Sequence, residues 1–174
     1  MSTSIADPQD DREPQRHLGY LIRRAQQLHV ATWARVVSQE TSSVQYSILA
    51  VVHRLGEASQ RELCDEVDLD RSTIADLVAR MERRGLVDRH RSPADARRNV
   101  VTLTEIGESE LNRLRPLVEE VQRELVVGLT DAAAAQLREL LGLMLGDVRG
   151  ESDAAAPTTY ATDLSRMGAL RGHP

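Results

Sequence analysis

Between Ser59 and Thr104 the sequence changes its hydrophobic period twice, and few folds accept that order of elements. Ser59 followed three residues later by Glu62 is a capping box, which predicts a short third helix ending near Val67. Asp70 reads as the N-cap of a fourth helix, with Ile74, Leu77, Val78 and Met81 along one side and Gly85 as its stop. Period two then takes over: LVDRHR (86–91) and NVVTLT (99–104) read as strands joined by SPADARR. Pairs of helices are common in any helical protein and carry little information alone. A short helix, a tight turn, a second helix and an Arg-bearing hairpin, in that order, specify a winged helix-turn-helix.

The flanking segments are helical. Residues 16–39 carry Leu18, Leu21, Ile22, Ala25 and Leu28 at helical spacing, with Val36 continuing the stripe. A second helix spans 44–55 and ends at Gly56. Thr104 caps a fifth helix reaching about 127, in which Leu111, Leu114, Val118, Val121 and Leu125 form a coiled-coil seam and Pro116 predicts a bend. Gly128 breaks it, and Thr130 caps a sixth helix bearing Leu137, Leu140, Leu141, Met144 and Leu145. Aromatic residues make up only 2% of the chain and Phe is absent, so the core is aliphatic, which favours packed helices. The expected fold is mainly α: a winged helix-turn-helix with a small two-stranded antiparallel β wing, plus further helices. Residues 1–15 and 150–174 are polar and aperiodic and are expected to be a disordered and a flexible tail around one domain at 16–149.

The formal charge of −5 argues at first against a polyanionic partner, but its distribution matters more than its sum. From Asp70 to Arg98 there are eight arginines against five acids, so the basic residues concentrate on the helix-turn-helix and hairpin. Every cation among the 22 Lys and Arg is Arg, whose planar fork suits phosphates and guanine edges. With Ile74 to Met81 turned inward, Arg71, Ser72, Thr73, Asp76, Arg80 and Arg83 fall on the outer side of the fourth helix as candidate double-stranded DNA contacts. The positive end of that helix adds a favourable dipole near phosphate. Arg97 and Arg98 sit at the hairpin tip, where a narrow minor groove attracts Arg. The competing reading makes these arginines a solvated face paired with Asp70, Asp76, Glu82 and Asp95.

The stretches DRSTIADLVARMERRGLVDR (70–89) and SPADARRNVVTLTEIG (92–107) resemble the MarR family of winged helix-turn-helix regulators. The family's wing signature falls on Asp95, Arg97, Leu103, Thr104 and Gly107, and its topology spans 16–149. One departure is Ser92, where many members carry Asp before the proline; little consequence is expected. The resemblance implies a homodimer joined by helices at 16–39 and 105–149, with 44–104 as the DNA-binding lobe. The 111–125 seam and the Leu-rich last helix are expected to supply surface for that dimer. Two-fold symmetry implies a pseudo-palindromic operator with half-sites about 10 bp apart. Repression is the commoner behaviour in the family and is the expected sign.

Members of the family commonly release DNA when a small anionic or phenolic ligand binds between the dimer helices and the winged lobe. Here Arg23 and Arg24 could neutralise a carboxylate, while His29, Trp33 and Tyr46 could frame an aromatic ring. His29 and Trp33 are four residues apart and share a helix face. The run LGYLIRRAQQ is similar to the branch that controls breakdown of aromatic acids, which implies an aromatic acid or its coenzyme A thioester as effector. The alternative is that Trp33 and Tyr46 are core and both arginines pair with surface acids.

Other functions find less support. Cys64 lies outside the first helix, where peroxide-sensing members carry their thiol, and reads as a packing residue. His17, His29, His53 and His90 lack metal-ligand spacing, so neither a metal nor another cofactor is expected, and a regulator with a metal or redox trigger stays an alternative. No phosphate loop, nucleophile elbow or HExxH pair suggests an enzyme. A winged helix can instead be a protein-interaction module, but that reading leaves the Arg-bearing wing unexplained. A lone cysteine, a polar N-terminus without an apolar run and no bilayer-length apolar stretch together suggest a cytoplasmic protein without membrane contact.

Overall fold

A computed structural model describes residues 17–37, 40–92 and 98–151, the last five of these without their side chains. The elements run α1 (Leu18–Val36), α2 (Ser43–Leu55), β1 (Ala58–Ser59), α3 (Gln60–Val67), α4 (Arg71–Arg83), β2 (Val87–Arg91), β3 (Asn99–Leu103), α5 (Glu105–Leu125) and α6 (Asp131–Glu151). Two compact units divide the chain, one reaching Leu125 and the other beginning at Val126. Among the described residues no helix is long and apolar enough to cross a membrane.

The caps explain where the helices begin. Ser42 with Gln45 and Ser59 with Glu62 form complete capping boxes on α2 and α3. Asp70 accepts the Ser72 and Thr73 N–H groups at the start of α4. The turn from α3 to α4 passes through Asp68 at φ 57°, a left-handed conformation that Asp tolerates better than most residues. Gly85, at φ 69°, ends α4. Its N–H donates to Glu82 O at 2.9 Å and the Leu86 N–H to Met81 O at 3.0 Å, a Schellman closure that turns the chain into β2.

The sheet has three antiparallel strands in the order β1-β3-β2, one more than the sequence predicts. The additional strand is only Ala58–Ser59, paired with Val101 and Val100, too short to show a period of two. β2 and β3 pair from Val87–Leu103 to Arg91–Asn99, as the hairpin reading requires. The core gathers Ile48, Leu49 and Val52 of α2, Leu63 of α3, Ile74, Val78 and Met81 of α4, and Val87 and Val101 of the sheet. Cys64 packs at its margin, and burial pushes its thiol pKa up.

The seam on α5 is covered in part within the protomer. Leu111, Leu114 and Val121 are fully buried within a single protomer, where α5 packs on α1 and α2. Those three positions close the protomer, while Val118 and Leu125 of the same seam are only half-buried. Most of the large apolar side chains left uncovered in this unit lie on α1, with Leu18, Leu21, Ile22, Leu28 and Val30 exposed, beside Leu55 on α2 and Ile106 on α5. In the second unit, Thr130 accepts the Ala133 N–H at 3.3 Å and starts α6, whose Leu137, Leu140, Leu141, Leu143, Met144 and Leu145 are exposed. The helix α5 continues through Pro116.

One junction ties α4, the hairpin and α5 together. The Thr104 N–H donates to Leu86 O at 3.2 Å. Its hydroxyl donates to Gly85 O at 2.5 Å and accepts the Gly107 N–H at 3.0 Å. A Cβ on Gly107 would lie 2.0 Å from Leu86 O, so the first turn of α5 can lie against that carbonyl only as glycine. Gly107→Ala is expected to destabilise the protein by about 1–3 kcal/mol or more, the cost of overpacking against rigid backbone. Chemical denaturation measures it, and an unchanged midpoint would contradict the close approach.

Candidate nucleic-acid interface

On α4, Ser72, Asp76, Arg80 and Arg83 lie roughly half a turn from the buried Ile74, Val78 and Met81, and all four are exposed. The 13-residue helix thus separates its core face from a polar outer face along its whole length. The arginines around it divide by partner. Arg71, Arg80 and Arg83 are exposed and make no hydrogen bond or ion pair with a described residue. Arg84 donates instead to Glu40 O at 2.9 Å and to the Thr41 hydroxyl at 3.2 Å. Arg89 pairs with Glu82 and Arg98 with Glu62. Arg91, on the edge strand β2, is exposed and has a partner of its own. Arg97 and Asp95 lie outside the described residues.

Of the acids in the solvated-face reading, Glu82 is taken by Arg89, and Asp70 is engaged elsewhere. Asp70 accepts the Ser72 and Thr73 N–H groups, both at 2.9 Å, and both hydroxyls as well. Those hydrogen bonds, led by the Ser72 hydroxyl, hold its carboxyl well below the usual carboxylate range. The positive end of α4 is therefore already matched by a carboxylate of the chain, so the phosphate expected there from the helix dipole meets a filled position. Ser72 and Thr73 direct their hydroxyl protons inward to Asp70 and keep only lone pairs for an outside donor.

The residues singled out for an aromatic ligand are only partly brought together. Trp33 is 6% exposed and stands between His29, at 6.1 Å edge-on, and Tyr46, at 5.9 Å. Its indole N–H donates to Thr41 O at 2.8 Å. Arg23 instead stacks over Tyr20 at 5.0 Å, and Arg24 is exposed. Ten residues separate Arg23 from Trp33, about 15 Å along a helix, and Arg24 faces the opposite side of α1 from Trp33. Neither arginine reaches the aromatic group within one protomer.

Thr41, which no sequence signal singles out, connects this aromatic group to α4 and α5. Fully buried, it accepts from Trp33 and Arg84 and donates its hydroxyl to Glu110 at 3.0 Å. The Arg113 guanidinium, then Thr41, holds the Glu110 carboxyl below its ordinary value. An open cleft of about 690 Å³ beside these groups is lined by Val37, Glu40, Arg84, Leu86, Ile106, Ser109, Glu110 and Arg113. Its two arginines face two glutamates and are already bonded, so it offers no unmatched cation for a carboxylate. None of the residues expected to bind a ligand lines it.

Ser92, where many members of the family carry Asp, extends the hairpin beyond the Arg91–Asn99 pair. It is 3% exposed, its N–H donates to Arg98 O at 2.8 Å and its hydroxyl to Glu57 at 3.2 Å. An Asp at this position would face the Glu57 carboxylate.

Comparison with known proteins agrees with this architecture. The sequence profile described as the MarR family matches residues 41–98. The chain is 32% identical over 116 residues to the HTH-type transcriptional repressor NicR of Pseudomonas putida, covering 66% of this chain and 73% of that one. The PcaV transcriptional regulator of Streptomyces coelicolor, solved with its natural ligand, superposes with a TM-score of 0.73 at 35% identity, over 77% of this chain and 95% of that one. BpsR of Bordetella bronchiseptica, whose DNA binding is regulated by 6-hydroxynicotinic acid, superposes equally well at 0.73 with 26% identity, over 76% and 95% of the two chains.

The Asp70 cap makes a pH signature. Its carboxyl pKa is lowered by folding, so its contribution is present above the unfolded value near 3.8 and is lost as pH falls through the lower folded value. Asp70→Ala is expected to melt below the wild type at neutral pH, with the gap narrowing as pH is lowered beneath 3.8. A gap independent of pH in thermal melts would contradict the role of the charged form.

Proposed function

The chain belongs to the MarR family of transcriptional regulators, and from that premise we propose that it is a homodimeric repressor released from a pseudo-palindromic operator by an aromatic carboxylate or its coenzyme A thioester. The observation that carries the DNA-binding part is the separation of the arginines. Arg84, Arg89 and Arg98 are bonded within the chain, whereas Arg71 at the start of α4 and Arg80 and Arg83 on its outer side stand exposed without an acidic partner among the described residues. A face of unpaired guanidiniums costs self-repulsion in the free protein and is matched by a phosphate backbone. Asp76 and Ser72 on the same face, with Thr73, offer groups for base edges, and Arg97 extends the contacts from the wing.

The many exposed apolar side chains of α1 and of α6 support a dimer, since uncovered apolar surface of this extent marks a contact. The effector reading rests on the His29, Trp33 and Tyr46 group, with Arg23 and Arg24 as the cations to meet a carboxylate. In one protomer those arginines stand apart from the rings, so the ligand site would be completed by rearrangement or by the partner. NicR is a repressor, PcaV was solved with its natural ligand, and the DNA binding of BpsR is regulated by 6-hydroxynicotinic acid. Thr41 provides a route from Trp33 to Arg84 at the end of α4, by which a ligand against the rings would be felt at the DNA face.

Fluorescence anisotropy tests both halves. A labelled duplex selected by the protein from a randomised pool should bind far more tightly than random duplex, with affinity falling steeply as salt rises. Arg80→Ala should flatten the logarithmic salt dependence by about 1 per protomer, as expected for loss of a phosphate contact. A hydroxybenzoate, 6-hydroxynicotinate or one of their thioesters should release the duplex. Absent or salt-insensitive binding would overturn the DNA reading; binding that none of these acids weakens would overturn the effector alone.

A further inference from the structure

Arg98 stands out among the arginines near the hairpin because both legs of that hairpin are held at its level. On one leg the Arg98 guanidinium bonds Glu62 and lies 3.9 Å from Glu57. On the other, buried Ser92 donates its hydroxyl to the same Glu57 and its N–H to Arg98 O. Glu57 immediately precedes β1, and Glu62 is in the first turn of α3. Two acids on one short segment thus grip both sides of the hairpin.

Glu62 is not free to follow Arg98 elsewhere. It accepts the Ser59 N–H at 2.7 Å and the Ser59 hydroxyl at 2.8 Å as the reciprocal half of the α3 capping box. Those two bonds, ahead of Arg98, hold its carboxyl below the ordinary value, so it stays charged. If Arg98 turned outward to a phosphate, it would leave Glu57 and Glu62 unneutralised beside a polyanion. That exchange loses two ion pairs and adds two repulsions in return for a single bond to phosphate. The side chain is also only 38% exposed, whereas Arg71, Arg80 and Arg83 are open to solvent.

We propose that Arg98 is a positioning residue: it clamps the β2–β3 hairpin to the β1–α3 segment and makes no contact with DNA. Since α3 packs on α4, the clamp sets the hairpin's placement relative to the recognition helix. This revises the sequence reading, which grouped Arg98 with Arg97 as a groove contact. It rests on the DNA-binding role proposed above and refines which residues carry it.

Glu62→Gln separates the two roles by sign. Glutamine also completes a capping box, so α3 keeps its start while the ion pair is lost. The full-length protein and the selected duplex are used, with far-UV circular dichroism and a thermal melt to establish folding. A clamp predicts weaker binding in Glu62→Gln and in Arg98→Ala by about two- to fivefold, the scale of a partly exposed ion pair, with the salt dependence unchanged. Arg98→Lys should not restore binding, because a single ammonium lacks the fork that reaches both acids. Tighter binding by Glu62→Gln, a salt dependence flattened by about 1 in Arg98→Ala, wild-type affinity in Arg98→Lys, or no effect in any variant would each overturn the proposal. Wild-type protein that binds no duplex would remove the DNA-binding role itself, an outcome readily told apart from a change confined to the variants.

Discussion

The arrangement of this winged helix depends on one close approach, that of the Gly107 backbone to the Leu86 carbonyl. A methyl group there would sit 2.0 Å from the oxygen, so no other residue lets α5 begin where it does. The same carbonyl accepts the Thr104 N–H, and the Thr104 hydroxyl closes onto Gly85. The end of α4, the end of β3 and the start of α5 therefore meet within a few bonds of one another. Thr104 and Gly107 thus fasten the hairpin to the helices on either side of it.

Charge is placed to the same end. A chain of net charge −5 can still present a basic face if its acids are placed on the arginines that need holding and withheld from those that do not. Glu82 takes Arg89, Glu57 and Glu62 take Arg98, and Asp70 faces inward to its own helix. Arg80 and Arg83, on the side of α4 away from the core, and Arg71 at its first turn are left without a described partner. Each internal pair is partly exposed and adds little stability alone. What the pairs add is geometry, since they fix the hairpin and α3 around the recognition helix.

Local signals made the helix-turn-helix legible in the sequence. Ser59 with Glu62, Asp70, Gly85 and Thr104 each mark a boundary through a hydrogen bond made within a few residues, and the structure places a cap or a turn at each. What escaped sequence reasoning was long-range. β1 has two residues and no period, so its pairing with β3 left no pattern. The α5 seam has the spacing of a coiled coil, yet spacing does not say whether α1 and α2 or a second protomer covers it. Arg98 and Arg97 are indistinguishable as letters; only the fold brings Glu57 and Glu62 to Arg98. Likewise, α1 supplies aromatic and cationic residues at helical spacing, but rise and rotation keep Arg23 and Arg24 away from Trp33 within one protomer.

The central claim is that two copies of this chain read DNA through α4, each from one half of a symmetric site. Hydroxyl-radical footprinting of the duplex selected by the wild-type protein tests it most directly, because it maps backbone protection without assuming which residues make contact. The account predicts two symmetric clusters of protection, centred about 10 bp apart on one face of the duplex. A single cluster, or uniform protection without two-fold symmetry, would contradict it.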